Sequence, residues 1–148
     1  MEHLRTLARE LPHLPPQERT DAVDRVLGFL RDTLLPHARA EEAVLYPEWA
    51  ALVGAPDAAA PMVHDHEAIA ERIDRLAATG REDVETLQEL LYELHALILV
   101  HFGKEEDLQL PAFDAHPEVA ARVLERMGEH AGHAHAHQQR RPVQGVST

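Results

Sequence analysis

The stretch HARAEEAVLYP, residues 37–47, places a histidine one helical turn before two glutamates, and a proline six residues after the first glutamate. The same pattern returns as HFGKEEDLQLP, residues 101–111. Residues four apart share one face of a helix, so each His-x-x-x-Glu is a nitrogen–oxygen pair that points in one direction. Because a charged group in an apolar core is costly unless something compensates it, the repetition indicates a chemical function.

The repeat includes the helices that precede these stretches. An offset of 64 residues maps His37 and Glu41 onto His101 and Glu105. An offset of 63 residues maps Glu2-His3 onto Asp65-His66. Each half is therefore a helix with one early histidine followed by a helix with His-x-x-x-Glu. Two such hairpins predict an all-α fold, an up-down-up-down four-helix bundle.

Apolar spacings of three and four residues support four helices. The first runs from about Glu2 to Leu11, and the second starts near Pro16. The third begins at Asp57 or Pro61 and stops at Gly80. The buried stripe of the fourth helix is expected to comprise Val84, Leu87, Leu91, Leu94, Ile98, His101, Glu105 and Leu108.

After the bundle, a short amphipathic helix is expected to follow Pro117 and to cap it with Val119, Val123 and Met127. Residues 1–127 would then form the domain. Residues 128–148 are poor in apolar side chains and are expected to be a disordered tail. Its histidines, at positions 130, 133, 135 and 137, are interpreted as incidental or as a weak chelator of metal.

Composition excludes several classes of protein. A chain of 148 residues, 45% apolar and 4% aromatic, suits one helical domain rather than a β-sandwich. The absence of cysteine excludes disulfides and iron–sulfur clusters. A net charge of −12 argues against nucleic acid as a partner. No apolar run reaches the roughly 18 residues of a membrane span, and the charged start MEHLRTLARE is unlike a signal peptide, so a cytoplasmic protein is expected.

The buried stripes would direct four imidazoles and two carboxylates to the bundle axis. Such a set is costly in a dry core, because the carboxylates repel and the imidazoles lose their hydration. Two divalent metal ions bridged by the glutamates would resolve this. Imidazole and carboxylate ligands suit iron, zinc or manganese, and open coordination positions indicate a reactive site. The candidate ligands are His3, His37, Glu41, His66, His101 and Glu105.

The pattern H…HxxxE…H…HxxxE, with the trailing EEAVLYP, resembles the hemerythrin family in its bacterial HHE cation-binding form. The likeness covers about residues 2–115. It implies a four-helix bundle with a non-haem di-iron centre, oxo- or hydroxo-bridged when oxidised, held by the six candidate ligands. Activities in that family include reversible oxygen binding, sensing or turnover of oxygen, nitric oxide or peroxide, iron handling, and repair of iron centres.

Two features depart from the oxygen carriers of that family. Those proteins have a second histidine four residues after the third-helix histidine, where this chain has Ala70. The last carboxylate also follows its histidine by four residues instead of five. One ion would therefore have a further open position. His64 is an alternative ligand, but two residues from His66 it is expected to point to the opposite side of the helix.

Other residues near the pattern have two interpretations. Glu42 and Glu106 are either solvated surface charges or carboxylates that orient the ligands. Tyr46 and Trp49 are more readily core residues than hydrogen-bond donors to the site.

Three functions follow from these observations. The first is a di-iron protein that binds, senses or reacts with O2, NO or peroxide; a binding protein is favoured over an enzyme with weak peroxidase-like or nitric-oxide- or oxygen-reducing activity. The second is iron storage or donation, or repair of damaged iron centres. The third is a purely structural metal bundle, which the open positions disfavour.

Overall fold

The computed structural model of the chain describes residues 2–138. Within this part every regular element is a helix, which confirms the all-α class. The α-helices are α1 (Glu2–Glu10), α2 (Pro16–Phe29), α3 (Leu35–Ala40), α4 (Tyr46–Val53), α5 (Ala60–Ala78), α6 (Val84–Lys104), α7 (Leu110–Asp114) and α8 (Pro117–Gln138).

Several of these helices join end to end through π-helical turns. The turns Leu30–Leu34 and Glu41–Leu45 connect α2, α3 and α4, and the turn Glu105–Gln109 connects α6 to α7. In each turn, the N–H of the residue just before a proline bonds to the carbonyl five residues earlier. A proline ring collides with the carbonyl four residues before it, and widening the helix by one residue avoids that contact. The prolines are Pro36, Pro47 and Pro111.

The π turn after α6 corrects one prediction. Leu108 was expected in the buried stripe but is 55% exposed, whereas Gln109 is 1% exposed. An inserted residue shifts every later position around the helix axis, so the buried face passes from Leu108 to Gln109. A constant helical period cannot anticipate that shift.

The packing confirms the four-helix bundle. α1 packs on α6, α5 packs on α6, and α2 packs on α5. The Gln88 side chain donates a hydrogen bond of 2.7 Å to the carbonyl of Ala8, which fixes α1 beside the first half of α6. α8 packs against α3, the π turn Glu41–Leu45 and α7. It therefore covers one end of the bundle, as predicted for the segment after Pro117.

Two apolar cores fill the bundle. The larger lies between α1, α2, α5 and α6, and includes Leu11, Leu30, Ile73 and Leu91. The smaller lies beneath α8 and comprises Val44, Tyr46, Trp49, Met62, Phe113, Val119 and Val123. Along α5, Met62 belongs to the smaller core and Ile69 to the larger, so His66 lies at their junction.

The ends of the helices follow local sequence signals. Gly54 ends α4 with φ 67°, a left-handed conformation that glycine adopts without steric cost. The Asp83 side chain caps α6 by accepting a hydrogen bond from the N–H of Thr86.

The C-terminal part extends beyond the predicted boundary. α8 continues past Met127 to Gln138, through the first part of the segment expected to be disordered. The rest of that segment lies outside the described residues. None of the helices that the structure describes combines the length and apolar character that a membrane crossing requires.

Candidate metal centre

Four side chains converge between the two apolar cores: Glu41, His66, His101 and Glu105. Each offers one potential ligand atom, and these atoms lie within 4.8 Å of one another. His66 comes from the middle of α5 and His101 from the last turn of α6. The site therefore draws on three of the four bundle helices.

Both glutamates are the first residues of π turns, Glu41–Leu45 and Glu105–Gln109. Single π turns inside α-helices occur frequently at functional sites. Here the proline six residues after each glutamate makes the ordinary helical hydrogen bond unfavourable. The recurring proline of the sequence pattern therefore favours the π-helical backbone conformation that begins at each glutamate.

The two imidazoles face each other, with Nε2 of His66 and Nε2 of His101 2.9 Å apart. The outer nitrogens have carboxylate partners: Nδ1 of His66 lies 2.8 Å from Glu42 Oε1, and Nδ1 of His101 lies 3.4 Å from Asp65 Oδ2. A carboxylate on Nδ1 favours the proton there and leaves the Nε2 lone pair facing inward. Two inward lone pairs repel unless a proton or a cation lies between them.

Glu41 is 3% exposed and remains a carboxylate at neutral pH. Burial alone would raise the pKa of Glu41, but hydrogen bonds from His37 and His66 outweigh it and hold the value at about 2. Nε2 of His37 lies 2.8 Å from Glu41 Oε1, and Nε2 of His66 lies 3.4 Å from Oε2. The hydrogen bond to Glu41 in turn raises the pKa of His37.

The surroundings of His66 are also strongly anionic. Burial lowers the pKa of His66, but its hydrogen bonds to Glu41 and Glu42 outweigh that effect and raise it. The Tyr46 hydroxyl lies 3.2 Å from Nε2 of His66. Burial, reinforced by the charge of Glu41, raises the pKa of Tyr46, so the phenol keeps its proton and can donate a hydrogen bond into the site.

Glu105 has a buried oxygen that lacks a hydrogen bond. Its Oε1 lies 3.2 Å from Nε2 of His101, but no donor among the described residues is suitably oriented. A buried acceptor without a donor is costly. A cation between Glu105, His101 and Glu41 would satisfy it.

The other two predicted ligands lie differently. The His37 side chain is 50% exposed; its Nε2 contacts Glu41, and it lies outside the group of four converging ligands. His3 is exposed and lines a separate cavity between α1 and α2. Ligation by either residue stays a prediction. The His64 side chain is 82% exposed and pairs with Glu67, on the side of α5 away from His66.

Two residues that support the site, Asp65 and Lys104, were not identified as site residues from the sequence. Asp65 accepts a hydrogen bond of 2.7 Å from the Lys104 ammonium as well as contacting His101. Glu42, for which both a surface and an orienting role were considered, contacts His66, and Tyr46 is both a core residue and a partner of His66. The available signals were the Asp65-His66 dipeptide and the position of Lys104 one turn after His101.

A cavity of about 10 Å3 adjoins the cluster. His37, Glu41, His66 and His101 line one part of it, and apolar side chains such as Ile69, Ile98 and Phe102 line the rest. That volume suits about one water-sized molecule. The donor set, the open carboxylate oxygen and this small cavity together fit one or two metal ions with a small additional ligand.

One comparison with known proteins agrees with a cation site in this part of the chain. A family model described as the hemerythrin HHE cation binding domain matches residues 1–113. Searches of curated proteins and of solved structures found no match. The matched residues include the whole cluster and end before α8.

Proposed function

Because the chain belongs to the hemerythrin HHE cation-binding domain family, we propose that it holds two iron ions and binds O2, NO or peroxide there. The observation that carries this proposal is the convergence of Glu41, His66, His101 and Glu105 within 4.8 Å. Two carboxylates from two helices can each bridge a pair of ions, and imidazoles are common ligands of non-haem iron. Bound iron would supply exchangeable electrons and open coordination positions.

The protein residues around the cluster support a small ligand. The cavity of about 10 Å3 has room for about one water-sized molecule, which suits a small ligand better than an organic substrate. Ile69, Ile98 and Phe102 keep its far side apolar, which limits the entry of water. The Tyr46 hydroxyl is available to hydrogen-bond a polar ligand, because its raised pKa keeps it protonated. These features favour a binding or sensing role over processing of an organic substrate.

The polar residues behind the ligands have an orienting role in this proposal. Asp65 positions His101 and is itself held by Lys104, while Glu42 positions His66. Such outer partners fix the ring orientation of a ligating histidine and raise its basicity. The arrangement therefore aims both Nε2 atoms at the metal position in advance of metal binding.

The exposure of His37 favours a second candidate function, iron storage or donation. A site whose His37 side is half open to solvent, and whose His3 lies elsewhere, would release iron more readily than an enclosed one. This function and the first share the same ligands and differ in how firmly the oxidised metal is retained.

The test is to load the metal-free chain with iron(II) without oxygen, count the bound iron, and then add oxygen or nitric oxide while recording the visible spectrum. Two irons per chain and a charge-transfer band that appears with the gas support the first function. Iron that binds at one equivalent or less, or is lost on oxidation, would contradict it and support iron handling.

A matched pair of variants assigns the iron to the cluster. Glu105→Gln should weaken loading, because it removes a ligand charge. Glu106→Gln changes the neighbouring exposed carboxylate and should load as the parent does. Equal loading of both variants would place the iron elsewhere.

A further inference from the structure

A second, much larger cavity lies outside the metal cluster, between α1, α2 and the end of α6. Its volume is about 450 Å3, within the range of roughly 300–1,000 Å3 typical of small-molecule sites. It exists because α1 packs mainly on α6 rather than on α2. Nothing in the proposed iron chemistry uses this space.

The cavity wall is mostly apolar, with leucine, valine, isoleucine and phenylalanine side chains around it. Leu30 and Leu34, which begin and end the first π turn, both form part of the wall. The other two π turns carry the cluster glutamates, but this one carries no cluster residue. The first π turn therefore lines the large cavity and not the metal cluster.

The mouth of the cavity is polar and asymmetric. Arg25 and His3 lie at the open end of the α1–α2 hairpin, whereas Glu10 lies beside the loop that joins these antiparallel helices. Arg25 is exposed and has no carboxylate within ion-pairing distance among the described residues. Among the described residues that line the cavity, Arg25 is the only arginine or lysine. Phe29, 56% exposed, extends the apolar surface outward.

We propose that this cavity binds a free medium-chain carboxylate, with its alkyl tail along the apolar wall and its head group on Arg25. Arginine pairs well with carboxylates because its planar guanidinium can donate two parallel hydrogen bonds. Each methylene that leaves water should raise the affinity about fourfold until the cavity is full. Both ends of the cavity thus match one class of amphiphile.

The tail of such a ligand would reach the wall of the metal site. Leu34, Ile98 and Phe102 line both the large cavity and the small cavity beside the cluster. An occupant would therefore press on the side chains that separate the two spaces. The binding itself does not depend on iron, so its failure would leave the proposed iron chemistry untouched.

The first experiment titrates the full chain, metal-free and iron-loaded, with hexanoate, octanoate and decanoate below the concentrations at which they form micelles. Isothermal calorimetry should show one saturable site per chain, with affinity rising about fourfold per methylene. Decanol, with the same tail and no charge, should bind about tenfold more weakly than decanoate. Absence of saturable decanoate binding would overturn the proposal.

Variants of the wall and the mouth complete the test. Thr6→Trp places a large ring from an exposed position of α1 into the cavity and should abolish binding without disturbing the core. Arg25→Ala should weaken decanoate about tenfold and leave decanol unchanged. Arg9→Ala, an exposed arginine of α1 outside the cavity, is the matched control and should bind normally. Unchanged decanoate binding by Thr6→Trp, or equal losses in Arg9→Ala and Arg25→Ala, would refute the site.

Discussion

The two hairpins of the bundle repeat one sequence pattern but bury its histidines to different extents. One hairpin consists of α1, α2 and the helical segments that continue α2, and the other consists of α5 and α6. On the α5–α6 side, His66 and His101 are 6% and 2% exposed and face each other. On the other side, the His37 side chain is 50% exposed and His3 is outside the cluster. α5 and α6 pack directly together, whereas a large cavity lies between α1 and α2. The spacing of donors along a helix sets their direction, but the distance between helices decides which donors meet.

The largest expected effect is a difference in metal affinity between variants of two corresponding histidines, His66 and His3. His66→Ala should lower the affinity for cobalt(II) or iron(II) by more than about 100-fold, because it removes a central donor. His3→Ala should change it far less, since His3 lies outside the cluster. Chelator competition measures both, with His64→Ala as the exposed control on α5.

Equal losses of metal affinity in His3→Ala and His66→Ala would contradict the difference between the two halves. That result would mean that α1 shifts on metal binding and brings His3 to the cluster. The sequence prediction of six ligands would then describe the loaded protein.

The next effect concerns the residues that orient His101. Lys104→Met should lower metal affinity roughly 10–100-fold, because Asp65 loses the cation that holds it beside the imidazole. Lys104→Arg, which keeps a cation beside Asp65, should retain most of the metal affinity. If Lys104→Met leaves affinity unchanged in the same competition assay, the Lys104–Asp65 contact has no orienting role.

A smaller effect is expected from the prolines. Pro111→Ala permits an ordinary helical turn after Glu105 and should weaken metal binding by less than about tenfold, since neighbouring packing resists the change. Pro36→Ala lies next to the π turn Leu30–Leu34, which carries no cluster residue, and should leave metal binding unaltered. A loss in Pro36→Ala as large as that in Pro111→Ala would contradict a local role for the π turn.

The smallest expected effect is on the stability of the metal-free protein with pH. The lowered pKa of Glu41, about 2 against an ordinary 4.5, stabilises the fold above pH 4.5, and this contribution is lost as the pH falls toward 2. The raised pKa values of His37 and His66 stabilise it below 6.5, and that contribution is lost as the pH rises through those values. The free energy of unfolding should therefore be higher at about pH 5.5 than at about pH 8.5.

Urea denaturation at the two pH values measures this difference. Bound metal should reverse the trend, because it requires neutral imidazoles. A metal-free protein that becomes more stable toward pH 8.5 would show that these imidazoles do not carry a proton in the folded state.

Much of the fold could be read from the sequence. The repeat and the apolar period predicted the bundle and most helix boundaries, and the four converging donors were among the six predicted ligands. The features that the sequence did not predict have physical explanations. A fixed helical period does not include the extra residue of a π turn, so it predicts Leu108 on the buried face where the structure has Gln109. Asp65 and Lys104 meet across two helices, which no spacing along one helix reveals.

Each π turn also has a consequence for how related chains can be aligned or redesigned. The turn amounts to one residue more than an α-helix needs over the same length. Deleting one residue between Glu41 and Pro47 would keep the histidine–glutamate spacing and return the turn to α-helical geometry, so the helix beyond it would keep its orientation. Trp49 would then keep its place in the smaller core. The proline ring would, however, collide with the carbonyl four residues before it, so a single-residue gap in this stretch should accompany the loss of that proline among functional relatives.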